Sequence, residues 1–226
     1  MTLVGVAGAK GKSTVIKFLS QIFTEAKCPY LLTEVRLPTP ALNALIITNV
    51  SPEETEMILA CANALARSNK PRKVLILNKG DKAIAPFLRI EGVEKLFFSL
   101  EDPEAYIPTA LMGAHNQANV QAAAVCAEAL GISRQIVARA IANVTLIHGH
   151  MERVAGPPEI PFAIYLDDAN TPDSLEKVLT SLLGSKVCVV SGEKLWVQPL
   201  LGSIAGTHCR AIILTESEKE IARGIS

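Results

Sequence analysis

An α/β fold with a mainly parallel sheet is predicted by two features of this 226-residue chain. Apolar, β-rich runs alternate with helical patterns, and the first run passes through a glycine-rich loop into a helix. Strand-like runs fall at 3–7, 44–48, 73–77, 95–99, 162–166, 186–190 and 211–215. Helical patterns fall near 12–26, 53–68, 115–130, 133–143, 172–183 and 197–206. The stretch Ala155-Gly156-Pro157-Pro158-Glu159-Ile160-Pro161 cannot sit inside an element, because proline lacks an N–H and fixes its backbone. It predicts a linker, with one α/β domain over 1–155 and a smaller one over 156–226.

Composition narrows the classes. Hydrophobic residues at 49% against 19% charged exclude a disordered chain and are enough for a real core. A net charge of zero advertises no basic face, so nucleic acid is not expected as a partner. No apolar run reaches membrane-spanning length, and the chain opens directly on a strand. Neither membrane nor leader is expected, which points to the cytoplasm. The five cysteines (Cys28, Cys61, Cys126, Cys188, Cys209) lie far apart, with no C-x-x-C pair. They read as reduced core thiols, not metal ligands.

The first element carries the sharpest chemistry. Leu3 to Ala7 is a buried-strand run, and Gly8-Ala9-Lys10-Gly11-Lys12-Ser13-Thr14 follows it into a helix. Glycines let backbone N–H groups close around an anion, the helix N-terminus adds partial positive charge, and lysine neutralises the outer phosphates. Ser13 is placed for a magnesium ion, so a nucleoside triphosphate is the expected ligand. The strict spacing asks for a glycine at position 6, where the chain has Val6; the alternative is a plain glycine turn with an incidental lysine. Further along, the helix at 115–130 is rich in alanine, which suits close packing on the sheet. Its first turn gathers His115, Asn116 and Asn119 after Gly113. Two amides and an imidazole there are able to hydrogen-bond a base or ribose, although a helix cap needs only one polar residue.

Four segments, in order, resemble the ATP-dependent Mur ligases, which add amino acids to the peptidoglycan precursor. Folylpolyglutamate and cyanophycin synthetases are a looser match. The segments are GAKGKST; Ile47-Thr48-Asn49-Val50-Ser51, like the family's T-N-hydrophobic-S; Leu111-Met112-Gly113-Ala114-His115-Asn116-Gln117-Ala118-Asn119, like L-x-G-x-H-N-x-x-N; and Asp167-Asp168-Ala169-Asn170-Thr171-Pro172-Asp173-Ser174-Leu175, like D-Y-A-H-x-P-D-S-L. Gly149-His150-Met151-Glu152 resembles G-R-M-E. The resemblance implies a P-loop central domain followed by a shortened Rossmann-like α/β domain, with ATP and Mg2+ as cofactors. It implies transfer of a phosphoryl group to a carboxylate and attack of an amine on the acyl phosphate. By motif position Lys12 would meet the β- and γ-phosphates. Ser13, Glu34 and Glu54 would hold metal; Lys12 and Glu34 would be catalytic; His115, Asn116 and Asn119 would face adenine or ribose; Asp167 would hold the ribose; and His150 would be a further cofactor-binding residue. Glu34 reads equally well as an ordinary strand-end carboxylate.

The departures bear on function. The phosphate loop begins at residue 8, which implies a compact form lacking the UDP-binding N-terminal domain and most of the C-terminal one. Glu54 stands where a metal-binding histidine is expected, and magnesium accepts a carboxylate. Asn63 occupies the position of a lysine that becomes carbamylated, and His150 replaces an arginine. Nucleotide binding is therefore the retained part. The leading expectation is an amide-forming ligase acting on an unidentified small carboxylate and amine. The alternative is a nucleotide-binding module or slow ATPase that has lost ligation or works with a partner subunit. A homodimer is the further possibility raised by apolar surface beside the shortened C-terminal piece.

Overall fold

In a computed structural model, residues 2–111, 113–145, 152–154, 164–166, 178–180, 184, 186–191 and 209–215 are described. The chain divides into two compact units, Met1–Ile147 and His148–Ser226. The linker and boundary expected around 155/156 lie outside the described residues.

The first unit is a five-stranded, all-parallel sheet. Its strands are β1 (Thr2–Ala7), β2 (Tyr30–Glu34), β3 (Ala44–Ile47), β4 (Val74–Asn78) and β5 (Glu94–Phe98), in spatial order β2-β1-β3-β4-β5. Its helices are α1 (Lys12–Glu25), α2 (Thr55–Ala66), α3 (Ala114–Ala129) and α4 (Arg134–Ala142). Alternation along the strands assigns the faces, since successive side chains point to opposite sides. Val4, Val6, Ala44, Ile46, Val74 and Ile76 pack with α1, α3 and α4. Ala7, Leu45, Ile47, Leu75 and Leu77 pack with α2 and with Ile84, Phe87 and Ile90. Both faces are covered, which is why the central strands read as continuous apolar runs.

Helix α1 follows its sequence period. Val15, Phe18, Leu19, Ile22 and Phe23, spaced by three and four residues, are its buried stripe. The β2-to-β3 connection has no helix and crosses β1 directly. Gly5 of β1 makes room for it: a Cβ there would stand 2.4 Å from Val35 Cγ2 and 3.0 Å from Leu42 Cδ1. Strand β2 is absent from the sequence expectation. It is a short edge strand with no fully buried residue, so its pattern carries little signal.

The second unit is described as two strand pairs. Strands β6 (Glu152–Val154) and β7 (Ile164–Leu166) are antiparallel, and β8 (Lys186–Ser191) and β9 (Cys209–Thr215) are parallel. The helix expected at 197–206 and most of that at 172–183 lie outside the described residues.

Candidate functional site

The sheet order places a crevice at the carboxyl ends of β1 and β3. The chain leaves β1 toward β2 on one side and returns to β3 on the other, so the two loops diverge there. In open α/β sheets this is where ligands bind. Both sequence motifs at these strand ends lie in that crevice: Ala7 pairs with Ile47, so Gly8 stands beside Thr48.

The phosphate loop has the geometry its glycines permit. Gly8 has φ +125° and Gly11 has φ +83°, values that disfavour side chains. Space is equally restrictive. A Cβ on Gly8 would lie 2.3 Å from Thr48 Oγ1, and one on Gly11 would lie 2.4 Å from Asn119 Oδ1. Helix α1 begins at Lys12, and its Nζ donates to the Gly8 carbonyl at 2.7 Å. The ammonium thus lies over the loop, where an anion would compete for it. Ser13 is exposed and Thr14 is buried at the start of the same helix.

Thr48 and Asn49 hold this loop from the β3 side. Lys10 N–H donates to Asn49 Oδ1 at 2.9 Å, and the Thr48 hydroxyl donates to the Lys10 carbonyl at 2.6 Å. The neighbouring strand end supports them. Asn78 Nδ2 donates to the Thr48 carbonyl at 3.3 Å, and Asp81 accepts from Val50 N–H at 2.8 Å and Ala83 N–H at 2.9 Å. Sequence reasoning noted Thr48 and Asn49 without a role, and passed over Asn78 and Asp81. The available signal was polar residues directly after apolar strands, where a side chain meets the next loop rather than the core.

The other predicted residues fall as follows. Asn119 meets the phosphate loop at Gly11, and it is buried together with Asn116. His115 is exposed on the first turn of α3, its ring folded back on Gly113, whose φ of +93° and missing Cβ leave room for it. Glu34 ends β2, in register with Val6 two residues before the loop; its Oε2 lies 3.5 Å from an Arg36 guanidinium nitrogen. Glu54 lies on the β3 side before α2 and accepts from the Ser51 hydroxyl at 3.3 Å. Asn63 donates back to the Leu59 carbonyl at 3.0 Å within α2. His150 and Asp167 lie outside the described residues.

The fit to the implied groups differs between phosphate and metal. The loop fits a phosphate chain, since it combines two left-handed glycines, a helix N-terminus and a lysine. Ser13, Glu34 and Glu54 offer hard oxygen donors of the kind magnesium takes. Among the described residues, no group of three or more His, Cys, Asp or Glu is gathered for a metal. A magnesium ion here would therefore rely on phosphate oxygens and water for most of its shell. Buried thiols add no chemistry: complete burial pushes Cys126 up to about 12, and burial also raises Cys61.

No family model matches the chain. Curated relatives do. The UDP-N-acetylmuramoyl-L-alanyl-D-glutamate--2,6-diaminopimelate ligase of Rickettsia prowazekii is 27% identical across 87% of this chain and 43% of its own length. The ligase of the same name from Nostoc sp. is 36% identical across 35% of this chain and 17% of its own. The chain thus spans less than half the length of these relatives. Among solved structures, the UDP-N-acetylmuramate-alanine ligase of Thermotoga maritima matches all of this chain and 69% of its own, with TM-score 0.73 and 15% identity. The UDP-N-acetylmuramoylalanyl-D-glutamyl-2,6-diaminopimelate--D-alanyl-D-alanyl ligase of Acinetobacter baumannii matches all of this chain and 74% of its own, with TM-score 0.65 and 14% identity. The structural matches are a likeness of fold, and the sequence matches are a similarity to Mur ligases.

Proposed function

We propose that this Mur ligase-like chain binds ATP with Mg2+ in the β1–β3 crevice and uses it to join a small carboxylate to an amine. The observation that supports this most directly is the loop Gly8–Thr14 at the switch point of the sheet, with Lys12 lying over it. In this reading the γ-phosphoryl group passes to the carboxylate, and an amine displaces phosphate from the acyl phosphate to leave an amide. Lys12 leaves the Gly8 carbonyl and offsets charge on the β- and γ-phosphates. Ser13, Glu34 and Glu54 would supply oxygen ligands to magnesium, which would screen charge on the phosphates. His115, Asn116 and Asn119 serve the adenosine end. Thr48 and Asn49 touch no substrate; they fix the loop on which binding depends.

A second reading is favoured by Asn63, which has no amine to carbamylate and is hydrogen-bonded within its own helix. In that reading the chain binds and slowly hydrolyses ATP, either alone or beside a partner subunit. Calorimetric titration of Mg-ATP into wild type and Lys12→Ala, with a phosphate-release assay, tests both. Binding lost in Lys12→Ala, with turnover raised by carboxylate and amine together, is expected for the ligase. Lys12-dependent binding with turnover indifferent to those substrates supports the second reading. Absence of Lys12-dependent binding overturns both.

A further inference from the structure

The edge strand β2 brings a further cation to the flank of the phosphate loop. Side chains along a strand alternate between faces. Tyr30 and Leu32 pack with the core on the α1 side, and Val35 packs with the core on the other. Glu34 therefore lies on the α1 face, as does Val6, its partner in register. The ladder runs one step further, since Val35 N–H donates to the Val6 carbonyl at 3.0 Å. Continuing that register puts Arg36 level with Gly8, where the loop begins. Helix α1 is fixed against the same face of β2. The Ser20 and Tyr30 hydroxyls are 3.1 Å apart, and the Phe23 and Tyr30 rings stack with centroids 4.9 Å apart. Seven residues make nearly two helical turns, so Ser13 lies on the Ser20 side of α1, about 10 Å nearer the carboxyl end of the sheet. From Tyr30 to Glu34 the strand rises about 13 Å. Glu34 and Arg36 thus flank the first turn of α1, where free N–H groups and the positive end of the helix gather.

Little holds Arg36 in place. Its Nη2 lies 3.5 Å from Glu34 Oε2, the longest of the four ion pairs among the described residues, and its side chain is 81% exposed. The other three arginines each tie together separate elements. Arg72 joins the segment before β4 to Glu94 of β5, Arg134 joins α4 to Glu128 of α3, and Arg139 joins α4 to Glu25 of α1. Arg72 and Arg134 also donate to the carbonyls of Ala129 and Glu104. The Arg36 pair spans two residues of a single segment, is exposed, and fastens nothing to anything else. An ion pair of that kind contributes little to stability. The fold therefore does not account for this guanidinium, although it stands beside the one carboxylate at the β2 flank of the loop.

We infer that Arg36 reads the outermost phosphate of the bound nucleotide and gives the crevice its preference for a triphosphate over a diphosphate. This rests on the nucleotide reading proposed above. A guanidinium presents a planar fork of N–H donors that matches phosphate oxygens. A terminal phosphate carries more charge than a carboxylate and accepts two such bonds, so it competes well with a single 3.5 Å contact. Lys12 differs in kind. Its ammonium lies on the Gly8 carbonyl within the loop, placed for phosphates that both nucleotides carry.

The test is calorimetric titration of Mg-ATP and Mg-ADP, in parallel, into the full chain as wild type, Arg36→Ala and Arg36→Lys. Arg36 is exposed, so both variants are expected to fold as wild type does. Wild type should hold Mg-ATP more tightly than Mg-ADP. Arg36→Ala should weaken Mg-ATP by about tenfold or more. Its Mg-ADP affinity should stay within about twofold of wild type. Arg36→Lys, which keeps the charge and loses the fork, should recover part of the difference. A wild type that holds the two nucleotides equally, or an Arg36→Ala variant with an unchanged ratio, overturns the inference. So does an equal loss for both nucleotides, which a general effect of positive charge would give. A rise in Mg-ATP affinity would also overturn it, by showing that Arg36 merely blocks Glu34. In each of these cases Lys12-dependent Mg-ATP binding by wild type leaves the nucleotide reading standing; its absence overturns both.

Discussion

The two ends of the parallel sheet use similar polar groups in opposite ways. At the carboxyl end, Thr48, Asn49, Asn78 and Asp81 each bond to backbone of a neighbouring loop, so the phosphate loop is held before any ligand arrives. At the amino end, Arg72 and Lys73 do similar structural work, while Arg67, Lys70 and the Ser68 hydroxyl have no such partners among the described residues. The first arrangement favours a preorganised cradle. A cluster of charge by sequence is therefore a poor guide: of four neighbouring basic residues, two hold the fold and two line a recess.

The largest effect should come from breaking the carboxyl end at Gly8. Gly8→Val forces a β-branched residue to φ +125° and drives its Cβ into Thr48 Oγ1. A loss of about 1–3 kcal/mol in stability is expected from urea denaturation. An accompanying fall of about a hundredfold or more in Mg-ATP affinity is expected by calorimetry, equivalent to about 3 kcal/mol. An unchanged affinity would show that the clamped loop is not where nucleotide binds.

Asn49→Ala is the next step down. It removes the acceptor for Lys10 N–H while leaving the backbone intact, and should cost about 1–2 kcal/mol of stability. Asn49→Asp keeps an acceptor oxygen but adds negative charge beside the loop. Stability should return toward wild type while Mg-ATP affinity stays low. Equal stability of the Ala and Asp variants would mean that the hydrogen bond does not hold the loop.

An effect confined to alkaline pH lies in the core at Cys126. Its thiol holds its proton to about pH 12 when folded, against an ordinary value near 9. Below about pH 9 both states keep the proton and Cys126 contributes no pH dependence. Between about 9 and 12 only the unfolded thiol ionises, so stability falls as pH rises, by at most about 1.4 kcal/mol per pH unit. Comparing Cys126→Ala with wild type by urea denaturation at about pH 8 and pH 10.5 isolates this from other titrating groups. The stability gap between them should narrow at the higher pH; a constant gap would refute the burial effect.

The sequence by itself determined the core layers and the phosphate loop. Continuous apolar runs require strands covered on both faces, and the stripe of Val15, Phe18, Leu19, Ile22 and Phe23 requires an amphipathic α1; both are local patterns. The loop was legible because glycine and lysine spacing between strand and helix is itself the local structure. Four things waited for the tertiary structure. Strand β2 exists because β1 offers it an edge, a reason its own five residues do not carry. The roles of Thr48 and Asn49 depend on β3 lying beside β1, which strand order alone decides. Asn119 reaches Gly11 only because α1 and α3 pack on one face, across more than a hundred residues of sequence. At the amino end, sequence lists Arg67, Lys70, Arg72 and Lys73 as equals. Only packing separates them, because whether a charge finds a partner depends on what folds against it.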